Sequence, residues 1–259
     1  MVLPFQDILI DVGLVVCLYM TIVFILALAR KDNSIVDVAW GIGFIIITVY
    51  TIIQSGEVDL RKMIVSLLVL LWGLRLSFHI LVRNSGKGED FRYKAWRNSW
   101  KYFFLRSYFQ IFLLQGLLML VISTPIWFIN SGIGGPLGLL DSIGLFIFGF
   151  GFLFEVIADY QLAEFKKNPT NAGKLMTTGL WSMSRHPNYF GESLVWWGIT
   201  FYALSFPNGW CTMISPVIIT ILLRFVSGVP MLEKKYKENP DWADYKAKTA
   251  AFVPFIKFL

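Results

Sequence analysis

The sequence predicts an all-α integral membrane protein with seven transmembrane helices, the N-terminus outside and the C-terminus in the cytoplasm. Hydrophobic residues make up 56% of the 259 residues and charged residues only 15%, whereas soluble globular chains carry about 25% charged residues. The mean hydropathy is +0.62. Apolar runs of roughly 20 residues, the length that crosses a bilayer as a helix, recur along the chain.

Each predicted span is an apolar run bounded by polar or turn-forming residues. The seven runs are expected at about 8–29, 34–54, 62–82, 104–129, 139–163, 188–206 and 208–229. The first run lacks the basic start and the small-residue cleavage site of a signal peptide, so we interpret it as a retained helix. The connections alternate between short turns such as "SFPNGW" and long polar loops such as "AEFKKNPTNAGKLMTTGLWSMSRHPNY". Functional polar groups are therefore expected on one side of the membrane.

Basic residues fix the predicted orientation, because they are concentrated in alternate loops and in the C-terminal tail. The opposite side offers only Arg61 and Lys62, and loops rich in Lys and Arg stay in the cytoplasm. The net charge of +6 is thus a topology signal, and no basic soluble module for nucleic acid is present. We expect a multi-pass protein of a bacterial inner membrane, favoured over the endoplasmic reticulum, surrounded by membrane lipid and without an obligatory protein partner.

Several common catalytic centres have no matching pattern in this chain. Cys17 and Cys211 are isolated, and the chain has only two histidines, so neither a disulfide framework nor a metal centre is expected. No Rossmann, Walker, HExxH or GxSxG motif occurs.

The stretch "SRHPNYFGE" places many polar groups at the start of an apolar run. Pro187 suits the first turn of a helix, and Asn188 and Glu192 then share one helix face. An ionised carboxylate inside a bilayer costs about 2.5–3.5 kcal/mol, so Glu192 is expected to have a partner, with Arg185 or Arg224 as candidates. The alternative is an interfacial anchor cluster of Arg185, His186 and Tyr189.

Other charged residues interrupt the predicted spans. Asp159 and Glu155 lie four residues apart in the fifth run and indicate a lined cavity, unless that run ends early and both are at the surface. Arg224 is the only charge in the seventh run, where snorkelling to the interface is the alternative. Asp37 is the only charge in the second run, and it could instead pair with Arg75 or cap the helix.

The segments "GLWSMSRHPNYFGE", "EDFRYKAW", "DVAWGIGF", "DWADY" and "VPFI" resemble the bacterial-type branch of the steroid 5-alpha-reductase superfamily. The resemblance covers nearly the whole chain as one domain, 1–259, with the C-terminal-type region at about 110–259. The RHPxYxG core also occurs in the isoprenylcysteine carboxyl methyltransferases, which use S-adenosylmethionine.

The resemblance implies a seven-helix reductase in which NADPH gives hydride to the C4=C5 bond of a 3-oxo steroid or a similar lipid enone. The polar residues at the inner ends of the spans would bind the cofactor: Arg92, Asp159, Lys166, Arg185, His186, Asn188, Tyr189, Glu192 and Arg224. Arginine and lysine are natural partners of its phosphates.

The catalytic positions depart from the steroid enzymes, which carry a Gln-Glu pair on the second span and a Tyr on the third. Here Asp37 is the nearest acid and Tyr93 the nearest phenol. Asp37 would have to be protonated, which burial favours, or act through a neighbouring donor such as Tyr93 or Trp40. Three hypotheses follow: this reductase, a methyltransferase that uses S-adenosylmethionine, and a lipid-binding or transport protein. The sequence shows no inverted repeats, which weakens the third hypothesis.

Overall fold

A computed structural model of the chain is helical throughout. It describes residues 5–256, without the side chains of residues 5, 6 and 235. Within this range there is no β-strand, only an isolated bridge between Ser184 and Ala250. The prediction of an all-α protein is therefore confirmed for the described residues.

The chain divides into two compact units. One unit comprises the residues up to Leu137 with Tyr202–Thr212, and the other comprises Gly138–Phe201 with the residues from Met213 onward. The helices of the first unit are α1 (Phe5–Arg30), α2 (Ile35–Gln54), α3 (Leu60–Asn84), α4 (Phe91–Ser99), α5 (Phe103–Ser107), α6 (Leu114–Ile122) and α7 (Thr124–Ser131). The second unit holds α8 (Leu139–Lys167), all but the last two residues of α9 (Pro187–Ala203), α10 (Ile214–Ile221), α11 (Val229–Glu233) and α12 (Trp242–Lys248).

Six helical stretches of the described residues are long and apolar enough to cross a membrane, as in a multi-pass protein. They are Asp7–Arg30, Ile35–Gln54, Leu60–Asn84, Phe103–Ile122, Leu139–Lys167 and Gly209–Glu233. The predicted span at about 188–206 corresponds to α9, whose 17 residues fall short of the roughly 20 of a full span. The turn after α9 places Asn208 at a φ of 62°, in the left-handed region that ends regular helix. The structure thus gives six such stretches where the sequence predicted seven.

The fourth predicted span is not one continuous α-helix. A π-helical segment at Tyr108–Leu113 separates α5 from α6, and α7 restarts after Ser123. Pro125 lies in the first turn of α7, where its missing N–H costs no helical hydrogen bond. A second π-helical segment, Leu222–Val226, carries Arg224, and π-helical turns are frequent at functional sites.

Glycines allow α2 and α3 to approach closely in the first unit. A Cβ atom added at Gly41 would lie 2.4 Å from the carbonyl oxygen of Gly73, and one added at Gly73 would lie 2.7 Å from the carbonyl oxygen of Gly41. Small residues at such crossings permit backbone contact between membrane helices. This contact fixes the direction of α2, whose first turn carries Asp37.

We expect Gly41→Ala to destabilise the protein by about 1–3 kcal/mol, because backbone atoms of α3 would have to move. Gly149→Ala in α8 is the matched control, since a Cβ there meets no atom within 4 Å. Thermal unfolding in one detergent measures both variants. Equal melting temperatures for the two variants would contradict the close crossing.

Glycines also allow α8 and α9 to approach closely in the second unit. A Cβ at Gly191 would lie 2.6 Å from the carbonyl oxygen of Gly151, and one at Gly198 would lie 2.7 Å from that of Gly144. The two helices therefore pack backbone to backbone. This packing brings the polar residues of α8 beside those at the start of α9.

Candidate functional site

The first unit contains a buried acid–phenol pair. The hydroxyl of Tyr93 donates to Asp37 Oδ1 at 2.6 Å, and Arg92 Nη2 donates to Asp37 Oδ2 at 2.6 Å. Tyr93 is 2% exposed. Each carboxylate oxygen of Asp37 thus has a partner, a hydroxyl at Oδ1 and a guanidinium at Oδ2.

Arg92 bridges two carboxylates. Asp90 is the N-cap of α4, and its Oδ1 accepts from the backbone N–H of Arg92 at 3.0 Å and from its Nε at 2.9 Å. The other side of the guanidinium faces Asp37. Arg92 was predicted to bind the cofactor, and the structure places it in the acid–phenol cluster.

A second ion pair fixes the loop that presents this cluster. Glu89 accepts two hydrogen bonds from Arg97 at 2.7 and 2.8 Å and one from the backbone N–H of Asn33 at 2.9 Å. Burial would raise the pKa of Glu89, but these hydrogen bonds together lower it, so the carboxylate stays ionised at neutral pH. The next residue, Asp90, donates its N–H to Ser34 Oγ at 2.7 Å. The α1–α2 turn therefore positions the start of α4.

Tyr93 is held in its protonated form. Burial, with the negative charge of Asp37, raises its pKa well above the ordinary value, although Arg92 opposes the shift. The side chain of Gln115 also opposes the shift. Trp40, the third predicted catalytic residue, packs edge-on against Phe44 with ring centroids 5.4 Å apart.

In the second unit, Arg185 ties the "SRHPNYFGE" stretch to the C-terminal segment. Its Nε donates to Glu233 Oε1 at 2.8 Å, and its Nη1 donates to the carbonyl oxygens of Lys246 and Thr249 at 3.2 and 2.5 Å. Its guanidinium also lies 5.5 Å from the ring of Trp242. A cofactor phosphate would have to compete with these partners for Arg185.

His186 lies buried beside the same carboxylate. Its Nε2 is 3.4 Å from Glu233 Oε1, and its ring stacks on Tyr189 with centroids 5.7 Å apart. Burial lowers the pKa of His186 despite the nearby carboxylate of Glu233, so the imidazole is neutral at pH 7. His186 and Tyr189 thus present stacked rings rather than a cation.

The structure brings Asp159 and Asn188 together. Asn188 Nδ2 donates to Asp159 Oδ1 at 3.0 Å, which links α8 to the first turn of α9. Glu192, one turn further along α9, is buried and has an interaction partner, and Lys166 is exposed near the end of α8. A carboxyl group and an amide therefore lie side by side where α8 meets the start of α9.

Arg224 carries a buried donor without a partner among the described residues. Its Nε has no hydrogen bond there, and its guanidinium lies 4.9 Å from the ring of Phe225. A buried, unsatisfied charged donor is costly, so this atom is a candidate for contact with an anionic ligand.

The sequence missed three residues that hold these clusters in place. Glu233 pairs with Arg185 across 48 positions, Asp90 caps α4 beside Arg92, and Glu89 anchors Arg97. The motif "GEDFRYKAWR" contains the last two, and its alternating charges are a signal for local pairing. Glu233 had no such local signal.

A separate polar cavity of about 350 Å³ lies in the first unit, at the end of α2 opposite to Asp37. Its lining includes Thr51, Lys62 and Asn130. The predicted site residues that the structure describes do not line it. Its residues therefore belong to neither polar cluster.

Known proteins resemble parts of this chain. An uncharacterised protein of Schizosaccharomyces pombe is 29% identical over 66% of the chain and 57% of its own length. A probable O-methyltransferase of Ustilaginoidea virens is 48% identical over 46 residues, 18% of the chain and 16% of its own length. A Delta(14)-sterol reductase of Gibberella zeae is 37% identical over 24% of the chain and 15% of its own length. The chain thus spans 57% or less of these curated relatives.

No solved structure matches the chain. A family model described as a protein of unknown function, DUF1295, matches residues 23–249. Because this match covers most of the 259 residues, the chain belongs to the DUF1295 family.

Proposed function

We propose that the chain is a membrane reductase of the steroid 5-alpha-reductase type, which uses NADPH to reduce the C4=C5 bond of a 3-oxo-4-ene steroid or a similar lipid enone. The observation that carries this proposal is the Tyr93 hydroxyl, buried and hydrogen-bonded to Asp37 at 2.6 Å. The partial identity with a sterol reductase supports the same reaction class.

Reduction of an enone needs a hydride at the β-carbon and a proton for the enolate that results. NADPH would supply the hydride. Tyr93 is protonated at neutral pH and would donate its proton to the enolate, after which water restores it. The guanidinium of Arg92, 5.2 Å from the Tyr93 ring centre, and the amide of Gln115 would stabilise the phenolate left behind.

In this proposal Asp37 orients the proton donor and does not itself donate. Arg92 Nη2 contacts Asp37 Oδ2 at 2.6 Å, and the Tyr93 hydroxyl donates to Asp37 Oδ1 at 2.6 Å. The carboxyl group would hold the Tyr93 hydroxyl in one direction until the substrate oxygen competes for it. Of the two routes that the sequence left open for Asp37, this proposal takes the one through Tyr93.

The polar residues of the second unit fit a cofactor that carries phosphates. The unpartnered Nε of Arg224 is a buried donor, and Lys166 is an exposed cation. The helix that starts at Pro187 adds a positive dipole end. The Asp159–Asn188 pair would accept and donate hydrogen bonds to the polar parts of the nucleotide.

A methyltransferase that uses S-adenosylmethionine is the second candidate. The short match with a probable O-methyltransferase favours it. S-adenosylmethionine carries no phosphate, but its methionine carboxylate is an anion that the Arg224 donor could also bind. Binding of each cofactor to the wild-type protein, rather than the effect of Arg224 alone, therefore distinguishes the two candidates.

Cofactor binding separates the two candidates. We expect NADPH at 100 times its Kd to stabilise the purified protein by about 2.7 kcal/mol, seen as a higher melting temperature. S-adenosylmethionine should leave the melting temperature unchanged. Arg224→Gln should weaken the effect of NADPH, whereas Lys248→Gln, which removes an exposed cation of the tail, should not. Stabilisation by S-adenosylmethionine alone would favour the methyltransferase.

A further inference from the structure

A basic segment connects α4 to the membrane-crossing stretch that begins at Phe103. We call residues 94–106 the basic elbow. It runs from Lys94 in α4 to Arg106 in α5, at the same end of α2 as Asp37 within the first unit. The elbow therefore lies where a helix enters the bilayer, at the depth of the lipid headgroups.

Three cations of the elbow are left over after its ion pairs are formed. Arg97 pairs with Glu89. Lys94, Lys101 and Arg106 are exposed and form no ion pair among the described residues. Three uncompensated positive charges on about a dozen residues attract an anionic surface.

Aromatic rings surround these cations. Trp96 and Trp100 stack with centroids 5.2 Å apart and planes at 11°, and Arg106 lies 5.8 Å from the Trp100 ring. Lys101 lies 5.2 Å from the ring of Tyr102. Tryptophan and tyrosine are enriched at headgroup level, where an apolar body and a polar edge are both satisfied.

The backbone of the elbow holds Tyr102 outward at a conformational cost. Tyr102 has a φ of 58°, which costs a residue other than glycine about 1–2 kcal/mol. Its side chain is 70% exposed, next to the exposed Phe104 and Leu105. A strained backbone that keeps a large aromatic ring exposed indicates that this ring makes a functional contact.

We infer that the basic elbow is a binding site for an anionic phospholipid headgroup. Lys94, Lys101 and Arg106 contact the phosphodiester, and Tyr102 and the Trp96–Trp100 stack contact the glycerol and upper acyl region. None of its three cations, Lys94, Lys101 and Arg106, is among the proposed cofactor or catalytic residues. Lipid binding at this site can be measured without reductase turnover, so its failure is distinguishable from failure of the proposed function.

Native mass spectrometry from mixed micelles tests the site, with phosphatidylglycerol and phosphatidylcholine of identical acyl chains as probes. The wild-type protein should retain phosphatidylglycerol preferentially. Lys94→Gln, Lys101→Gln and Arg106→Gln combined should lower this preference by about fivefold for each charge removed. If the triple variant does not fold, Lys101→Gln alone should show the single-charge effect.

The matched control removes three exposed lysines of the C-terminal tail, Lys234, Lys237 and Lys246, and should keep the preference. If the control variant lost the preference for phosphatidylglycerol to the same extent, the preference would come from general surface charge, and the proposed site would be overturned. Equal retention of the two lipids by the wild type would also overturn it. Displacement of the lipid by soluble glycerol 3-phosphate would assign the elbow to a free phosphate instead.

Discussion

Tyr93→Phe is expected to lower the turnover of a 3-oxo-4-ene steroid, or of the natural enone, by about 10²–10⁴-fold, the usual contribution of a positioned general acid. The substitution removes only the hydroxyl that donates to Asp37 at 2.6 Å, and the ring keeps its contact with Trp96 at 5.6 Å. NADPH affinity should therefore change little, whereas the melting temperature should fall modestly, because Asp37 Oδ1 loses a buried donor. Single-turnover oxidation of NADPH, measured by absorbance, gives the rate of the chemical step.

Tyr108→Phe is the matched control for this loss. Tyr108 is a partly buried phenol of the first unit, and its hydroxyl forms a hydrogen bond with the Thr21 hydroxyl at 3.0 Å, outside the acid–phenol cluster. Its removal should leave turnover unchanged. A Tyr93→Phe enzyme with full turnover would remove Tyr93 from the mechanism, whereas loss of turnover in both variants would indicate a structural effect.

Two substitutions of Asp37, the hydrogen-bond partner of Tyr93, test whether this residue orients the Tyr93 hydroxyl. Asp37→Asn keeps an oxygen that can accept from the Tyr93 hydroxyl, and Asp37→Ala does not. We therefore expect the asparagine variant to retain more turnover than the alanine variant, with NADPH affinity similar in both. Equal turnover of Asp37→Ala and wild type would show that the orientation of Tyr93 does not depend on Asp37.

The positions of most long helices could be predicted because apolar runs and their polar boundaries are local signals. The fourth and sixth predicted spans show the limit of that signal. Composition does not reveal that the chain changes to π-helix at Tyr108, restarts at Thr124, or turns near Asn208 after only 17 residues of α9. These breaks depend on tertiary packing and on single backbone conformations.

The candidate site was predictable in its residue types and not in its pairings. Asp37 was identified because a charge in an apolar segment is costly. Asn188 was identified from the polar stretch at the start of an apolar run, and Tyr93 as the phenol nearest to the position where the resemblance implies a tyrosine. Their partners are set by the fold: Arg92 lies 55 positions from Asp37, and Asp159 lies 29 positions from Asn188. Without an alignment, a sequence contains no signal for contacts at such separations.

Arg185 illustrates how a pairing changes an interpretation. The sequence assigned this arginine to cofactor phosphates, because it lies in a polar stretch at a helix start. In the structure it is 7% exposed and donates to Glu233, Lys246 and Thr249. A guanidinium with several donors can join distant segments where a lysine cannot, so the structure indicates that Arg185 holds the C-terminal segment in place.

Arg185→Ala is therefore expected to destabilise the protein by about 3–5 kcal/mol, the cost of removing one partner from a buried ion pair. Glu233 would lose its cation, and the carbonyl oxygens of Lys246 and Thr249 would lose a donor. Arg185→Lys should recover only part of the stability, because one ammonium cannot reach all three acceptors. Thermal unfolding and limited proteolysis of the C-terminal segment, with and without NADPH, measure the effect.

Lys248→Ala provides the control, because the Lys248–Asp244 pair lies in the same segment with side chains 73% and 67% exposed. An exposed pair of this kind contributes about 0–1 kcal/mol, so this variant should melt and resist protease like the wild type.

The decisive comparison for Arg185→Ala is between its stability and its binding of NADPH. If Arg185→Ala keeps its melting temperature and a protected C-terminal segment but no longer binds NADPH, Arg185 is a cofactor ligand and its contacts with Glu233, Lys246 and Thr249 are dispensable. If the segment becomes protease-sensitive and NADPH added in excess restores its protection, Arg185 acts by positioning the segment, and the cofactor residues of the second unit remain able to bind without it.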